Sequence, residues 1–249
     1  METDIRLFDA VDSTNITLKE LADNGAAEGT CVMALSQRRG QGRSGRTFFS
    51  PEGGNLYMSL LLRPQNKTAL EMITVTAAVA VVEAVKERFG IMTGIKWVND
   101  ILLSGRKVCG IVATAHDIGT SGQHVILGIG VNVFTSRDIP EDIADRYGSI
   151  LDETFDLTSE EGRNIPVGLG KSIINRFADY YESGSYDDVI ARYRKYSSII
   201  GKKVEYISGD ESIEATVAGI DDNGGIILDT GGKVCSYRDG EIRINIKDK

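Results

Sequence analysis

Polar and apolar positions alternate in two different periods along this chain, and the changes of period mark its elements. Ile5–Phe8 and Thr30–Ser36 are short strand candidates, the second carrying Cys31, Val32, Met33 and Leu35. Between them Ile16, Leu18, Leu21 and Ala22 follow Ser13-Thr14-Asn15. This predicts a short helix with Ser13 or Thr14 as its N-cap, ending at Asn24-Gly25. A turn at Glu52-Gly53-Gly54 precedes an alternating run, Asn55–Arg63, with Leu56, Met58, Leu60 and Leu62 on one face. Thr68-Ala69-Leu70-Glu71 has the form of a capping box. It opens a helix with Leu70, Ile73, Ala77, Ala80, Val81 and Ala84 on one side, ending near Gly90. Ile101–Leu103 and Val108–Thr114 form a predicted hairpin turning at Ser104-Gly105. Gln123–Phe134 is a long strand candidate; Val125, Leu127, Ile129, Val131 and Val133 face a core, and Gly128, Gly130 and Asn132 face away. Two glycines there leave room for a flat ligand or for a closely crossing helix.

Further along, Pro140–Tyr147 is a short helix candidate and Thr158-Ser159-Glu160-Glu161 a second capping box. Gly162, Pro166 and Gly168 obscure the stretch after that box. Ile173–Tyr181 and Tyr186–Tyr196 have helical apolar faces. After Gly201 the runs shorten. Lys203–Ile207, Ile213–Ile220, Ile226–Asp229, Val234–Tyr237 and Ile242–Asn245 alternate with Gly/Asp/Asn turns, which predicts a small β-barrel. The boundary falls near Ser197–Gly201, giving units 1–198 and 199–249.

Charge narrows the function classes. Across 249 residues the net charge is −8, against the spread positive charge of a general nucleic-acid or anionic-membrane binder. The three cysteines, Cys31, Cys109 and Cys235, are scattered and suit a reducing compartment. Only two histidines, His116 and His124, are present, too few for a histidine-rich metal site. The acidic N-terminus lacks a signal-peptide pattern, and the apolar run near Ala77–Val82 is too short to span a bilayer. The expected compartment is the cytoplasm.

Against this acidic background Arg38–Arg46 places four arginines and three glycines in nine residues. Glycines let a backbone approach a ligand, and arginines add forked donors. The segment is either a solvated loop or a mobile loop closing on an anion. Ser13-Thr14-Asn15 is likewise either a helix cap or a set of donors for a small polar ligand. Lys107, by spacing alone, is an exposed hairpin lysine.

In chain order stand Ser13-Thr14-Asn15, Gln37-x-x-Gly40-Gln41-Gly42-Arg43-x-Gly45-Arg46 and Ser50-Pro51-x-Gly53-Gly54-Asn55-Leu56-Tyr57-x-Ser59. Lys96-Trp97-Val98-Asn99-Asp100, Arg106-Lys107-x-x-Gly110-Ile111 and Gly128-x-Gly130-x-Asn132 come after them. Together these resemble the biotin protein ligases over nearly the whole chain. The resemblance implies an α+β fold: a mixed sheet flanked by helices, of the class II synthetase-like type, and an SH3-like C-terminal barrel. It implies activation of biotin with MgATP to biotinyl-5′-AMP, then transfer to a lysine of a biotin carboxyl carrier domain. Residues implied at biotin are Ser13, Thr14, Asn15, Gln37, Gly40, Gln41, Gly42, Arg43, Lys107, Gly110 and Gly128. Those implied at ATP or the adenylate are Arg46, Phe48, Lys96, Asn99, Asp100 and Asn132. Lys107 is the first catalytic candidate with Arg43 supporting it, and Asp100 meets Mg²⁺ through ATP. Trp97 is read as structural.

Three positions depart from the family pattern. Phe48 replaces a tryptophan and still allows stacking. Val98 replaces a proline, which leaves the local bend unassured. In a regular strand Lys96 and Asp100 would lie about 13 Å apart, at roughly 3.3 Å per residue, so only a bend brings them to one atom. Gln41 replaces the first arginine of Gly-Arg-Gly-Arg, implying faster adenylate release unless Arg39 compensates. Twelve residues precede Ser13, so a monofunctional ligase without a DNA-binding helix-turn-helix is expected, and family habit adds homodimerisation. The competing classes are a lipoate or octanoate ligase and a non-catalytic nucleic-acid-binding module.

Overall fold

Strands β1 (Asp4–Val11), β2 (Thr30–Gln37), β3 (Leu56–Leu62), β4 (Gly94–Lys96), β5 (Asp100–Leu103), β6 (Arg106–His116) and β7 (His124–Val131) form one sheet in the computed structural model. Their order is β1-β2-β3-β7-β6-β5-β4, with β1 and β2 parallel and every other pair antiparallel. The described residues are 1–51, 55–136, 138–152 and 159–244; the predicted turn Glu52-Gly53-Gly54, Thr158 and Asn245 lie outside them.

Helix α1 (Thr14–Asp23) covers β2, β3 and β7 on one face, where Leu18 and Ala22 pack on Val32, Leu61 and Ile126. Helices α2 (Lys67–Phe89), α3 (Glu160–Ser183) and α4 (Tyr186–Tyr196) cover the other. Covering both faces explains why all seven residues of β3 are buried, although alternation alone exposes half of them. Helix α2 is likewise buried nearly all round rather than on the single side its apolar spacing marks. It is long and apolar enough to cross a membrane, yet here it lies between the sheet and α3 and α4.

The helix starts differ in detail from expectation. Asn66, not the Thr68 box, caps α2, its side chain accepting from Ala69 N at 2.8 Å. Ser13 occupies the N-cap of α1 with extended backbone but makes no side-chain cap bond. Residues 140–147 are turns rather than a helix, with Ile143 N donating to Pro140 O and Arg146 N to Ile143 O. Arg146 O accepts from Lys107 N and Lys107 O from Gly148 N, so pairing with β6 holds this segment out of a helix. Helix α3 is capped by Ser159, which accepts from Gly162 N, and runs through Pro166 and through Gly162, Gly168 and Gly170. Burial of Leu169, Ile173, Ile174 and Phe177 outweighs those local breakers.

Strands β8 (Lys203–Ser208), β9 (Glu211–Ile220), β10 (Ile226–Asp229), β11 (Val234–Tyr237) and β12 (Glu241–Ile244) form a second, antiparallel sheet in the order β11-β10-β9-β8-β12. Its buried Val204, Tyr206, Val217 and Leu228 continue the main core. Trp97 is buried and donates from Nε1 to Gly224 O at 2.8 Å, which makes it a structural tie between the two sheets.

Candidate active site

The site lies on the α1 face of the large sheet, where register lines up its smallest residues. One cross-strand row runs Ala34, Tyr57, Gly130, Gly110, Asp100; the next runs Val32, Ser59, Gly128, Val112. A Cβ on Gly128 would stand 2.5 Å from Asn15 Oδ1, and one on Gly130 2.6 Å from the Phe48 ring. The glycines therefore admit both α1 and an aromatic side chain, which bears out the closely crossing helix of the two sequence alternatives. A cavity of about 50 Å³ remains above this floor.

One end of the cavity is a hydrogen-bonded polar chain. Gln37 Oε1 accepts from the Thr14 backbone N–H at 2.7 Å and the Thr14 hydroxyl at 3.0 Å. Gln37 Nε2 donates to Ser50 Oγ, which donates to Phe48 O. The Ser59 hydroxyl reaches Thr14 Oγ1 at 2.8 Å and Asn15 Oδ1 at 2.6 Å. Gln37 thus supplies the side-chain bond at this helix start that was expected of Ser13 or Thr14. Ser13 Oγ is left buried without a partner among the described residues, a condition rare for a hydroxyl inside a protein.

The other end is charged. Lys107 Nζ is 2.6 Å from Asp100 Oδ1, and Lys96 Nζ is 3.8 Å from Asp100 Oδ2. The bend that Val98 left unassured is present: β4 and β5 form a tight hairpin with Lys96 opposite Asp100 and a cis Trp97–Val98 peptide. Burial pulls the Lys96 ammonium below its usual value, opposed by Asp100 and reinforced by Lys107. Asn99 donates to Ile111 O at 2.7 Å and fixes the hairpin on β6. Lys107 also stands 5.7 Å from the centroid of Phe48. Behind it Asn132 Nδ2 donates to Gly148 O at 2.9 Å and reaches Lys107 O at 3.4 Å, while Asn132 Oδ1 is buried without a partner among the described residues.

The Arg/Gly loop roofs the groove. It folds back on itself through a Gln41–Thr47 bridge and a 2.7 Å bond from Gly42 N to Arg46 O, with a single 3₁₀ turn at Arg43–Gly45. Gly40 has no room for a side chain: a Cβ would lie 2.3 Å from Ser50 Oγ.

Most expected residues meet here. Ser13, Thr14, Asn15, Gln37, Gln41, Gly42 and Arg43 line the cavity, as do Phe48, Asn99, Lys107, Gly110 and Gly128. Lys96 and Asp100 adjoin it through Lys107, and Asn132 supports Lys107 from behind. Two of the loop arginines take partners outside the cavity lining. Arg46 does not line the cavity; it pairs with Glu241 of the second sheet at 2.6 Å. Arg39 does not compensate for Gln41, because Asp12 takes it at the rim together with Arg38. Tyr57 and Ser59 are site residues that sequence reasoning missed, although both stand in the Ser50–Ser59 motif. Glu241 carried no sequence signal, since its partner lies 195 residues away.

The groove thus joins a glycine floor, a polar end, a lysine-carboxylate end and an arginine-bearing roof, an arrangement able to receive a small ligand that carries negative charge. The chain belongs to the biotin/lipoate A/B protein ligase family, whose sequence model matches residues 7–132, while that of the biotin protein ligase C terminal domain matches 199–243. It is 35% identical over 228 residues to the bifunctional ligase/repressor BirA of Bacillus subtilis, covering 89% of this chain and 68% of that one. It is 30% identical over 222 residues to the biotin--[acetyl-CoA-carboxylase] ligase of Paracoccus denitrificans, covering 87% and 90%. Among solved structures it superposes on the biotin protein ligase of Aquifex aeolicus in complex with biotin and ATP, with a TM-score of 0.80, 25% identity and 97% and 98% coverage.

Proposed function

We propose that this chain is an ATP-dependent biotin–protein ligase acting in the cytoplasm, with residues 1–198 as the catalytic unit and 199–249 as an accessory one. The observation that carries this is the buried, unpartnered Ser13 hydroxyl beside Thr14 and Gln37, set across a glycine floor from Lys107. Ser13, Thr14, Asn15 and Gln37 supply donors and acceptors for a cyclic urea, while Gly110 and Gly128 let the ligand lie flat on the sheet. Gly40, Gln41 and Gly42 bring loop backbone down over it.

In the first step a biotin carboxylate oxygen attacks the α-phosphorus of ATP. The bond from that phosphorus to the bridging oxygen breaks and pyrophosphate leaves. Lys107 and Arg43 offset the charge on the approaching carboxylate and phosphate. Phe48 stacks on the adenine, and the free Asn132 Oδ1 and Asn99 offer polar contacts to the nucleotide. Lys96 faces the outer phosphates. Asp100 would hold the Mg²⁺ that accompanies ATP, and the ion would supply charge neutralisation. In the second step a neutral lysine amine of a biotin carboxyl carrier domain attacks the acyl carbon. The C–O bond to AMP breaks, an amide forms and the proton passes to solvent. The roof excludes water from the mixed anhydride meanwhile.

The match of 199–243 to a biotin ligase C-terminal domain favours biotin over lipoate. The test mixes the protein with biotin, MgATP and a carrier domain and seeks a biotinylated lysine by mass. Pyrophosphate exchange with lipoate or octanoate but not biotin would reverse the assignment. We further propose a homodimer, read out by sedimentation.

A further inference from the structure

The two arginines at the tip of the roof are held by the second sheet, not by the sheet that carries the groove. Arg46 Nη2 pairs with Glu241 Oε2 at 2.6 Å, and Arg43 Nη1 approaches Gly240 O at 3.5 Å. The turn presenting these acceptors is built to stay put. Gly240 has φ +115°, a Cβ there would lie 2.6 Å from the Tyr206 ring, and Tyr206 donates to Asp239 O at 2.8 Å. The roof itself is short and rich in glycine, so ordering it costs backbone entropy. An external anchor at the tip offsets part of that cost.

We propose that Glu241 is a positioning residue for the roof: by receiving Arg46 it holds the Arg38–Arg46 loop closed and slows the escape of the acyl-adenylate. This rests on the proposed ligase activity for its consequence, but not for the clasp, which is present without ligand. Arg46 accordingly acts through Glu241 rather than by touching phosphate. The pair is largely exposed on the arginine side, so its effect is that of a surface ion pair, about two- to fivefold in a rate.

Two measurements test it on the full chain. In ligand-free protein, trypsin should cut the loop about two- to fivefold faster in Glu241→Gln than in wild type. The difference should vanish at molar salt, where the Debye length is about 3 Å. With biotin and MgATP, Glu241→Gln should release biotinyl-AMP faster by a similar factor, form it at the wild-type rate, and recover most of the retention as Glu241→Asp. Equal trypsin cutting at low salt overturns the clasp whatever the activity. Faster cutting with unchanged release, or a lowered KM for ATP with unchanged release, overturns its role in retention. Absence of any adenylate from wild type with faster cutting of Glu241→Gln leaves the clasp standing and removes the ligase assignment, and with it the retention role.

Discussion

Lys107 Nζ and Asp100 Oδ1 are 2.6 Å apart because two irregularities meet: a register shift in β5–β6 and the tight β4–β5 turn. The lysine backbone is bonded on both sides, to Arg146 O and from Gly148 N. Its ammonium is therefore aimed before any ligand arrives, and preorganised charge is worth most in catalysis. Lys107→Gln should lower adenylate formation by about 10²–10³-fold. Because the side chain is partly exposed, thermal unfolding should stay close to wild type. Single-turnover formation of biotinyl-AMP measures the first and a melting curve the second; a tenfold effect or less would assign the charge stabilisation elsewhere.

Gly128 and Gly130 make separable predictions. A methyl on Gly130 meets the Phe48 ring at 2.6 Å, and one on Gly128 meets Asn15 Oδ1 at 2.5 Å. Gly130→Ala should displace Phe48 and raise the KM for ATP about tenfold, an ordinary overpacking penalty. Gly128→Ala should weaken biotin binding instead. Steady-state kinetics varying each substrate in turn separates the two, and an identical defect in both variants would reject the division of the floor.

Much of this site was legible from local signals. The alternation of Gln123–Phe134 put Gly128 and Gly130 on one face, and the loop composition marked Arg38–Arg46. What escaped depends on long-range geometry. Ser13 and Thr68 looked like helix caps because side-chain caps are local, but Gln37 and Asn66 supplied the bonds. Residues 140–147 read as a short helix, yet pairing with Lys107 prevails. Lys96 and Asp100 meet through a turn that the sequence left open, with valine where relatives are expected to carry proline. The Arg46–Glu241 pair joins two sheets, and no window of the sequence contains both.

Acid should open the roof. Hydrogen bonding and attraction from Arg46 hold Glu241 below its usual carboxylate value near 4.5, against the opposing effect of burial. A carboxylate with a lowered folded-state pKa contributes its stabilisation above the unfolded value and loses it as pH falls through the folded one. Hydrogen exchange at the Gly42 amide, corrected for intrinsic rate, should show constant protection from pH 7 down to about 4.5 and falling protection below. Glu241→Gln should be flat over the same range apart from global unfolding.

Glu83 joins three helices. Its carboxylate, 8% exposed, accepts from Arg192 Nη1 and Tyr180 Oη, both at 2.7 Å, and from Tyr196 Oη at 3.2 Å. Glu83→Ala strands two tyrosine hydroxyls and removes the tie between α2, α3 and α4. It should cost about 1–3 kcal/mol in urea unfolding. Catalysis at low temperature should be kept, since none of these groups reaches the groove. Loss of activity with unchanged stability would contradict a purely structural role.

Gln41 remains the departure with the clearest consequence. It lines the cavity, and neither neighbouring arginine replaces the missing charge, because Arg38 and Arg39 both turn to Asp12. Among the described residues Arg43 is then the loop arginine that lines the cavity. Gln41→Arg adds a second cation at a partly exposed position, and such a charge is worth about two- to fivefold in a dissociation rate. We predict slower release of biotinyl-AMP from Gln41→Arg by that factor, with adenylate formation little changed. Combined with Glu241→Gln, the substitution should restore retention toward wild type, because the two act on the same closed loop from opposite sides. A chase with excess unlabelled ligand gives both rates; release from Gln41→Arg as fast as from wild type would show that the missing charge does not limit retention.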